Sequence, residues 1–346
     1  MIKNTTSAVD IYPPLQRRII FALQKENAYP HRVTKVELEE THISWVFLTG
    51  KYAYKIKKEL KFGKVLDFST LRLRKKYCQK ELKLNKILCP NMYKGVVKVV
   101  NHNGNIRISD SLCRSKAIEY AVKMVEIPQK YRMDKLVSEN RINSHVIDKL
   151  TGILVKFHRS TRTNDRILHF GQPGAMRMKI YENFSTLSKL VKIRPEFERK
   201  LISFVTDRQT LFCHRINERK VREIHGDLYL KNIFVVYPRF YLYDRIEFDD
   251  SLRYADIAED VAHLSMDLDY YERSDLRKYF VNQYVKKSND HTLETLLYFL
   301  MCYKACVRAK VSFFRAKEER NSKKRMQDTK EAKEHLHLAA SYFDLF

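Results

Sequence analysis

The chain has 346 residues, of which 44% are hydrophobic and 31% are charged. That apolar content is enough for a sizeable core in one large domain or two lobes, and it excludes disordered and collagen-like chains. The formal net charge of +25 predicts a positive surface field that attracts nucleic acid, anionic membranes or phosphorylated ligands. A field of this kind does not define a site.

The apolar pattern is that of a soluble protein, and we expect a cytoplasmic location with no membrane span. No run of about 18 apolar residues occurs, and the first residues lack the apolar core of a secretory signal. The cysteines include no C-x-x-C pair. We therefore expect reduced, mostly buried thiols rather than disulfides or a zinc site at all six of them, Cys78, Cys89, Cys113, Cys213, Cys302 and Cys306.

Residues 1–126 are predicted to form a small α+β lobe. Apolar residues alternate on both sides of Thr49-Gly50-Lys51, which indicates a β-hairpin with strands at 43–48 and 52–56. Helical spacing follows over 69–88 and stops before Pro90, with Glu81 on the flank of its apolar arc. Further strands at 95–100 and 116–124 bring the total to about five strands and one long helix.

Residues 127–346 are predicted to form a larger, mainly helical lobe. The apolar spacing is interrupted by one short hairpin, 233–236 and 240–243, around Tyr237-Pro238-Arg239. Helices are predicted at 147–157, 177–191, 197–218, 254–268, 275–286 and 293–317, and the last is followed by a basic C-terminal stretch.

The strongest chemical signal is the run His225-Gly226-Asp227-Leu228-Tyr229-Leu230-Lys231-Asn232, followed by the hairpin and Asp244. Phosphoryl transfer needs a carboxylate that orients the nucleophile, and an amide and a second carboxylate that hold Mg²⁺ on the ATP phosphates. Asp227 fits the first role, and Asn232 and Asp244 fit the second. A lone aspartate in a loop is more often a turn or cap residue, but the complete spacing is much less common by chance.

The N-terminal lobe supplies a matching lysine. Tyr52-Ala53-Tyr54-Lys55 aligns with the V-A-I-K strand of kinases, and Glu81 on the next helix is the expected ion-pair partner of Lys55. Lys57 lies on the same strand face, so it is an alternative for the lysine that binds phosphate.

On these motifs the sequence resembles the aminoglycoside phosphotransferase and choline-kinase-like superfamily, a branch of the protein-kinase-like fold. More narrowly it is similar to an uncharacterised bacterial branch of aminoglycoside phosphotransferase-like proteins. The resemblance spans about residues 28–316 and includes ETHISWVFLTGKYAYKIKK, HGDLYLKNIF and YDRIEFDDSLRYADIAEDVAHLSMDLD. It implies a two-lobed fold, ATP with Mg²⁺, and a hinge near 124–128 whose backbone meets adenine, with Met124, Val125 and Glu126 as cofactor-binding residues.

The sequence departs from protein kinases in two places. No G-x-G-x-x-G loop precedes Lys55, so the turn with the single glycine Gly50 has to cover the phosphates. The Asp-Phe-Gly triplet is replaced by Asp244-Arg245-Ile246, which leaves the mobile phenylalanine of protein kinases without a counterpart.

Other polar residues receive structural interpretations. We expect His225 to brace the catalytic loop, His158 and His263 to pack inside the helical lobe, and Asp256 and Asp260 to anchor the loop or cap helices. Glu247 is either an auxiliary metal or substrate residue or a capping residue at the surface.

The charges are unevenly distributed. Residues 51–86 contain thirteen Lys or Arg against three Asp or Glu, whereas residues 244–275 contain eleven Asp or Glu against three Arg. The contrast suits a nucleotide on one side and Mg²⁺ with a cationic or polyhydroxy acceptor on the other, although solvated helix faces explain either run.

The leading functional hypothesis is an ATP- and Mg²⁺-dependent kinase acting on a hydroxyl of a small molecule that the sequence does not identify. The alternative is a catalytically inactive, kinase-shaped binding module whose basic surface holds nucleic acid or an anionic partner. The intact set of Lys55, Asp227, Asn232 and Asp244 favours the enzyme, so nucleic acid is the less expected partner. The basic residues of the alternative are Arg308, Lys310, Arg315, Lys317, Arg320, Lys323, Lys324 and Arg325.

Overall fold

The computed structural model describes residues 13–63, 66–109, 114–319 and 321–346, so Cys113 and Arg320 lie outside the described residues. The strands are β1 (Glu37–Glu40), β2 (Ser44–Leu48), β3 (Tyr52–Lys57), β4 (Lys61–Phe62), β5 (Leu66–Asp67), β6 (Tyr93–His102), β7 (Asn105–Ser109), β8 (Ala117–Val125), β9 (Val221–Glu223), β10 (Ile233–Val236), β11 (Arg239–Leu242) and β12 (Tyr254–Asp256). The α-helices are α1 (Pro14–Leu23), α2 (Leu71–Asn85), α3 (Met133–Ser138), α4 (Ser144–Ser160), α5 (Asp165–Leu168), α6 (Pro173–Leu187), α7 (Pro195–Asp207), α8 (Gln209–Asn217), α9 (Ala258–Tyr270), α10 (Ser274–Ser288), α11 (Leu293–Glu318) and α12 (Ser322–Tyr342).

The chain divides into two compact units. The first runs to Pro128 and includes Tyr241–Asp249, and the second comprises Gln129–Phe240 and Asp250–Phe346. The segment that carries Asp244 therefore belongs with the first unit by its contacts, although it follows Asp227 and Asn232 in the chain.

The first unit is built on an antiparallel sheet of six strands in the order β1-β2-β3-β8-β6-β7. Alternating side chains of β2 and β3, including Trp45, Phe47 and Tyr54, enter a core shared with α1. Helix α2 packs on β8 and β6, and it begins where the Thr70 hydroxyl accepts a hydrogen bond of 3.2 Å from the N–H group of Leu73.

The second unit is mainly helical, as the sequence predicts. Helix α9 is buried from Ala258 to Leu268 and packs against α10 and α11, while α11 also packs along α12. This mixture of a sheet-based unit with one long helix and a larger helical unit confirms the predicted α+β class. None of the helices in the described part of the chain is long and apolar enough to cross a membrane.

Several predicted elements differ in detail from the structure. The predicted helix 197–218 is two helices, α7 and α8, because Arg208 leaves helical geometry at φ −111° and ψ 23°. Residues 254–256 form strand β12 before helix α9, and β12 pairs with β9. Five described cysteines are free thiols, of which Cys213 is exposed and the other four are buried.

Candidate active site

The first unit brings three of the predicted residues together. Lys55, on β3, places its Nζ 3.0 Å from Glu81 Oε1 on α2 and 2.5 Å from Asp244 Oδ1. The expected ion pair between Lys55 and Glu81 is therefore present. Lys55 and Glu81 side chains are 9% and 0% exposed, whereas Asp244 is 37% exposed, so the aspartate is the member of the group that meets solvent.

Lys57 forms a second, deeper ion-paired group. Its Nζ lies 2.8 Å from Glu81 Oε2 and also donates to Glu247 Oε1, and its side chain is completely buried. The Phe68 ring covers it, with the ring centroid 4.9 Å from Nζ. Glu247 is thus a buried partner of Lys57 rather than a surface residue.

The two lysines control the protonation of Glu81. Burial alone would raise the pKa of this carboxyl, but the charges of Lys55 and Lys57 outweigh burial and lower its pKa to about 2. Burial would likewise lower the pKa of Lys55, but Asp244 and Glu81 raise it well above its usual value. Both groups are therefore charged at neutral pH.

The turn between β2 and β3 has the conformation that its glycine permits. Gly50 has φ +84°, in the left-handed region, and it is exposed. Its N–H group donates a hydrogen bond of 2.8 Å to Glu126 Oε2, which ties the turn to the end of β8. No sequence motif indicates this role of Glu126.

Some backbone N–H groups of the predicted hinge residues are already hydrogen-bonded within the first unit. The N–H group of Val125 donates to the carbonyl oxygen of Met92 at 2.8 Å, and that of Glu126 donates to the carbonyl oxygen of Lys51 at 3.2 Å. Met124 pairs with Ala53 in the sheet. The amides of Val125 and Glu126 are therefore already engaged within the first unit.

In the second unit, two aspartates of α9 hold the loop 225–232 by hydrogen bonds to its backbone. Asp260 accepts hydrogen bonds from the N–H groups of His225 at 2.7 Å and Gly226 at 2.9 Å. Gly226 has φ +89°, so glycine suits this tight turn. Asp267 accepts from the N–H group of Leu230 at 2.7 Å. The expectation that Asp260 anchors the loop is confirmed.

The two carboxylates that anchor the loop, Asp260 and Asp267, have pKa values shifted in opposite directions. Burial would raise the pKa of Asp260, but its hydrogen bond and charge interaction with His158 and the contacts with His225 lower it well below the usual value. Burial raises the pKa of Asp267 to about 6, because the hydrogen bond from Leu230 and the charge of Arg308 offset only part of the desolvation. His158 and His263 are both buried in the helical unit, as expected.

Asp227 and Asn232 lie together at the two ends of the loop. Asn232 Nδ2 donates to the carbonyl oxygen of Asp227 at 2.9 Å and to its side-chain Oδ2 at 3.3 Å. Because the amide nitrogen faces Asp227, the amide oxygen of Asn232 is the atom left to bind a cation. Asp227 is partly exposed, which is the position expected for a carboxylate that meets a substrate.

Sequence reasoning missed a stacked group beside this loop. The guanidinium carbon of Arg308, on α11, lies 4.4 Å from the centroid of the Tyr229 ring, and the imidazole of His263 stacks on the same tyrosine at 5.6 Å. Arg308 also pairs with Glu331 of α12 at 3.3 Å. A tyrosine in the loop and an arginine on a distant helix carry no shared motif, so only the folded chain reveals them.

Most carboxylates of the acidic stretch 244–275 have partners within the protein. Nine of its eleven Asp and Glu side chains form an ion pair or accept a hydrogen bond, so the stretch is not simply a row of free negative charges. The partners are Lys55 for Asp244, Lys57 for Glu247, Arg253 for Asp250, Arg215 for Asp256, Lys179 and Lys304 for Glu259, His158 for Asp260, Leu230 for Asp267, Arg277 for Asp269 and Arg273 for Asp275.

The basic C-terminal stretch is also partly internal. Arg308 and Arg315 pair with Glu331, at 3.3 and 2.9 Å, whereas Lys323, Lys324 and Arg325 are exposed. The two arginines are therefore withdrawn from the continuous basic surface that a nucleic-acid module would need.

Asp244 of the first unit and Asn232 of the second each offer an oxygen atom of the kind that Mg²⁺ prefers. Within residues 13–63, 66–109, 114–319 and 321–346, no group of three or more His, Cys, Asp or Glu could hold a metal ion. Magnesium in kinases uses one or two carboxylates or amides and takes its remaining ligands from substrate phosphates and water. The carboxylate of Asp244 and the amide oxygen of Asn232 are ligands of this hard, oxygen-donating kind.

Comparison with known proteins places this geometry in a fold group. No protein-family model matches the chain. Uncharacterised proteins of Mycobacterium tuberculosis and Mycobacterium bovis are 32% identical over 286 residues, which cover 81% of this chain and 55% of theirs. The chain thus spans about half the length of the curated relatives it matches.

Two solved structures resemble the chain over nearly its full length. Choline kinase from Cryptosporidium parvum gives a TM-score of 0.51 at 13% identity and covers 94% of this chain and 94% of that chain. A choline/ethanolamine kinase family protein from Mesorhizobium loti also gives 0.51, at 11% identity, and covers 94% of this chain and 99% of that chain. At these identities the likeness concerns the fold alone, and it shows that this chain shares the kinase fold of these two proteins.

Proposed function

We propose that this chain is a phosphotransferase that moves the γ-phosphoryl group of ATP, with Mg²⁺, to an alcohol group of a small molecule. The observation that carries the proposal is the meeting of Lys55, Glu81 and Asp244 at one Nζ atom, although Lys55 and Asp244 are 189 residues apart in the chain. Ion pairs also occur in proteins for purely structural reasons, but these three residues stand at the positions that the kinase-like motifs predict. ATP as co-substrate fits a cytoplasmic location.

Each residue then has a defined task. Lys55, held at one angle by Glu81, binds the ATP phosphates, and Met124, Val125 and Glu126 face adenine. Asp244 and Asn232 each give an oxygen ligand to Mg²⁺, which neutralises phosphate charge when bound. Asp227 orients the acceptor hydroxyl and takes its proton as the new bond from oxygen to phosphorus forms and the bond to ADP breaks.

Asp227→Asn tests this proposal directly. The variant keeps the size of the side chain but removes its ability to take a proton, so turnover should fall by about 10²-fold or more while ATP affinity stays nearly unchanged. The assay is acceptor-dependent ADP release over a panel of metabolites, with ATP binding measured by calorimetry. Asp207→Asn, an exposed change on α7 in the same unit, is the matched control and should behave as the parent.

The binding-module alternative makes the opposite forecast. It expects no change from Asp227→Asn, whereas charge reversal of Lys323, Lys324 and Arg325 weakens nucleic-acid binding and reduces its salt dependence by about one unit of slope per lost phosphate contact. Absence of ATP turnover with every acceptor, together with nucleic-acid binding that persists at physiological ionic strength, would overturn the kinase proposal.

A further inference from the structure

The buried lysine Lys57 is unlike the lysine that binds phosphate. Its side chain is fully buried, Phe68 covers it, and Glu81 and Glu247 occupy its Nζ. A phosphate-binding lysine has to reach its ligand, and Lys55, two residues earlier, is the one that pairs with the partly exposed Asp244. The second lysine therefore calls for a different explanation.

Burying this many charges is costly unless each has a partner. Lys55, Lys57, Glu81 and Glu247 are four ionisable side chains with little or no exposure, and each would lose its hydration without compensation if it stood alone. They are arranged as a chain in which Glu81 bridges the lysines, using Oε1 for Lys55 and Oε2 for Lys57. Lys57 then extends the chain to Glu247.

This chain of ion pairs reaches the segment that carries Asp244. The segment is attached at its beginning by the contact of Asp244 with Lys55 and three residues later by the contact of Glu247 with Lys57. Between them, the N–H group of Arg245 donates to Asn85 Oδ1 at 2.9 Å, and its buried guanidinium donates to the carbonyl oxygen of Leu84 at 3.0 Å.

We propose that Lys57 is a positioning residue that, through Glu247 and Glu81, fixes the segment 244–247 on β3 and α2 and so holds Asp244 ready for magnesium. The inference rests on the proposed function, because the metal role of Asp244 belongs to it. Lys57 attaches the segment 244–247 to β3. In this segment Arg245 stands where protein kinases have a mobile phenylalanine. Loss of Lys57 removes its ion pairs with Glu81 and Glu247 and leaves those of Lys55 with Glu81 and Asp244.

The test compares Lys57→Met with Lys58→Met. Lys58 is the next residue, is also buried, and pairs with the exposed Glu40 at 2.6 Å, so its loss removes a buried lysine and an ion pair away from the segment. In nucleotide-free protein we expect at least tenfold faster amide hydrogen exchange over 243–248 in Lys57→Met and no change there in Lys58→Met. Glu247→Gln, which keeps the side-chain shape, should also accelerate exchange and serves if Lys57→Met does not fold.

Calorimetry adds a second readout that a general loss of stability would not produce. Lys57→Met should weaken binding of ATP with Mg²⁺ at least tenfold but leave binding of ATP without Mg²⁺ unchanged, and Lys58→Met should change neither. Parent-like exchange over 243–248 in both Lys57→Met and Glu247→Gln would overturn the positioning role. Faster exchange in a protein whose parent shows no Mg²⁺-dependent ATP binding would support the attachment and refute the proposed function instead.

Discussion

Replacing Asp260 should destabilise the second unit strongly, because this buried carboxylate accepts three hydrogen bonds. The donors are the N–H groups of His225 and Gly226, at 2.7 and 2.9 Å, and Nε2 of His158, at 3.1 Å. A hydrogen bond to a charged group contributes about 1.5–3 kcal/mol. Since such contributions are not additive, we expect Asp260→Ala to lower the free energy of unfolding by about 4 kcal/mol.

Asp260→Asn should cost about half as much, because its single amide oxygen can still accept one of the bonds. Urea denaturation at pH 7 measures both changes, and hydrogen exchange at His225 and Gly226 shows whether the loop is released. Glu259→Gln is the matched control: this neighbouring buried carboxylate pairs with Lys179 and Lys304 but not with the loop. If both Asp260 variants stayed within about 1 kcal/mol of the parent, other contacts would have to hold the loop.

The same residue gives a pH dependence of known sign. The pKa of Asp260 is lowered in the folded chain, so its stabilising contribution is complete above the unfolded value of about 4 and is lost as the pH falls below it. The parent should therefore lose stability on acidification more steeply than Asp260→Asn, which has no proton to bind at this position. Parallel acid curves would contradict the assignment.

Two further variants probe single features. Burial raises the pKa of Asp267 to about 6, so its charge opposes folding fully above that pH, and the penalty fades as the pH falls towards 4. Asp267→Asn should therefore be more stable than the parent at pH 8 and lose most of this advantage at pH 4, as urea denaturation at both pH values would show. Gly50→Ala should lower the free energy of unfolding by about 1 kcal/mol through backbone strain at φ +84°, because no atom lies within 4 Å of the new methyl group to add a steric clash. Gly50→Asn should lower it by less. Thermal unfolding measures both changes, and equal stability of all three proteins would contradict the strain argument.

The motif residues could be predicted because local spacing carries the information. The alternation of apolar residues on either side of Gly50 defines β2 and β3. The short spacing from Asp227 to Asn232 keeps these two residues within one loop, whatever the rest of the protein looks like. The position of Lys55 near the end of a short strand follows from the same pattern. Such features depend on neighbours within a few residues, which are visible in the sequence.

The buried polar contacts around the motif residues could not be predicted, because the residues that form them are polar and far apart in the sequence. Periodicity put Glu81 on the flank of α2, yet the buried face of that helix carries Arg74, Glu81 and Asn85, which are tolerated inside because each has a partner. Glu247 pairs with a lysine 190 residues away. No local rule distinguishes such a glutamate from one at the surface, because its burial is decided only when both segments are packed.

The internal use of the acidic stretch 244–275 affects how quickly ligands arrive. The formal net charge of +25 already counts these carboxylates, and because they are paired with neighbouring cations the positive excess is carried by other Lys and Arg side chains. A field of one sign raises the encounter rate of oppositely charged molecules by about 10- to 1,000-fold, and salt at 0.1 M confines it to about 10 Å. Under the proposed function, this field would draw anionic nucleotides in from solution, and ionic strength would act on their diffusional capture rather than on the bond-breaking step.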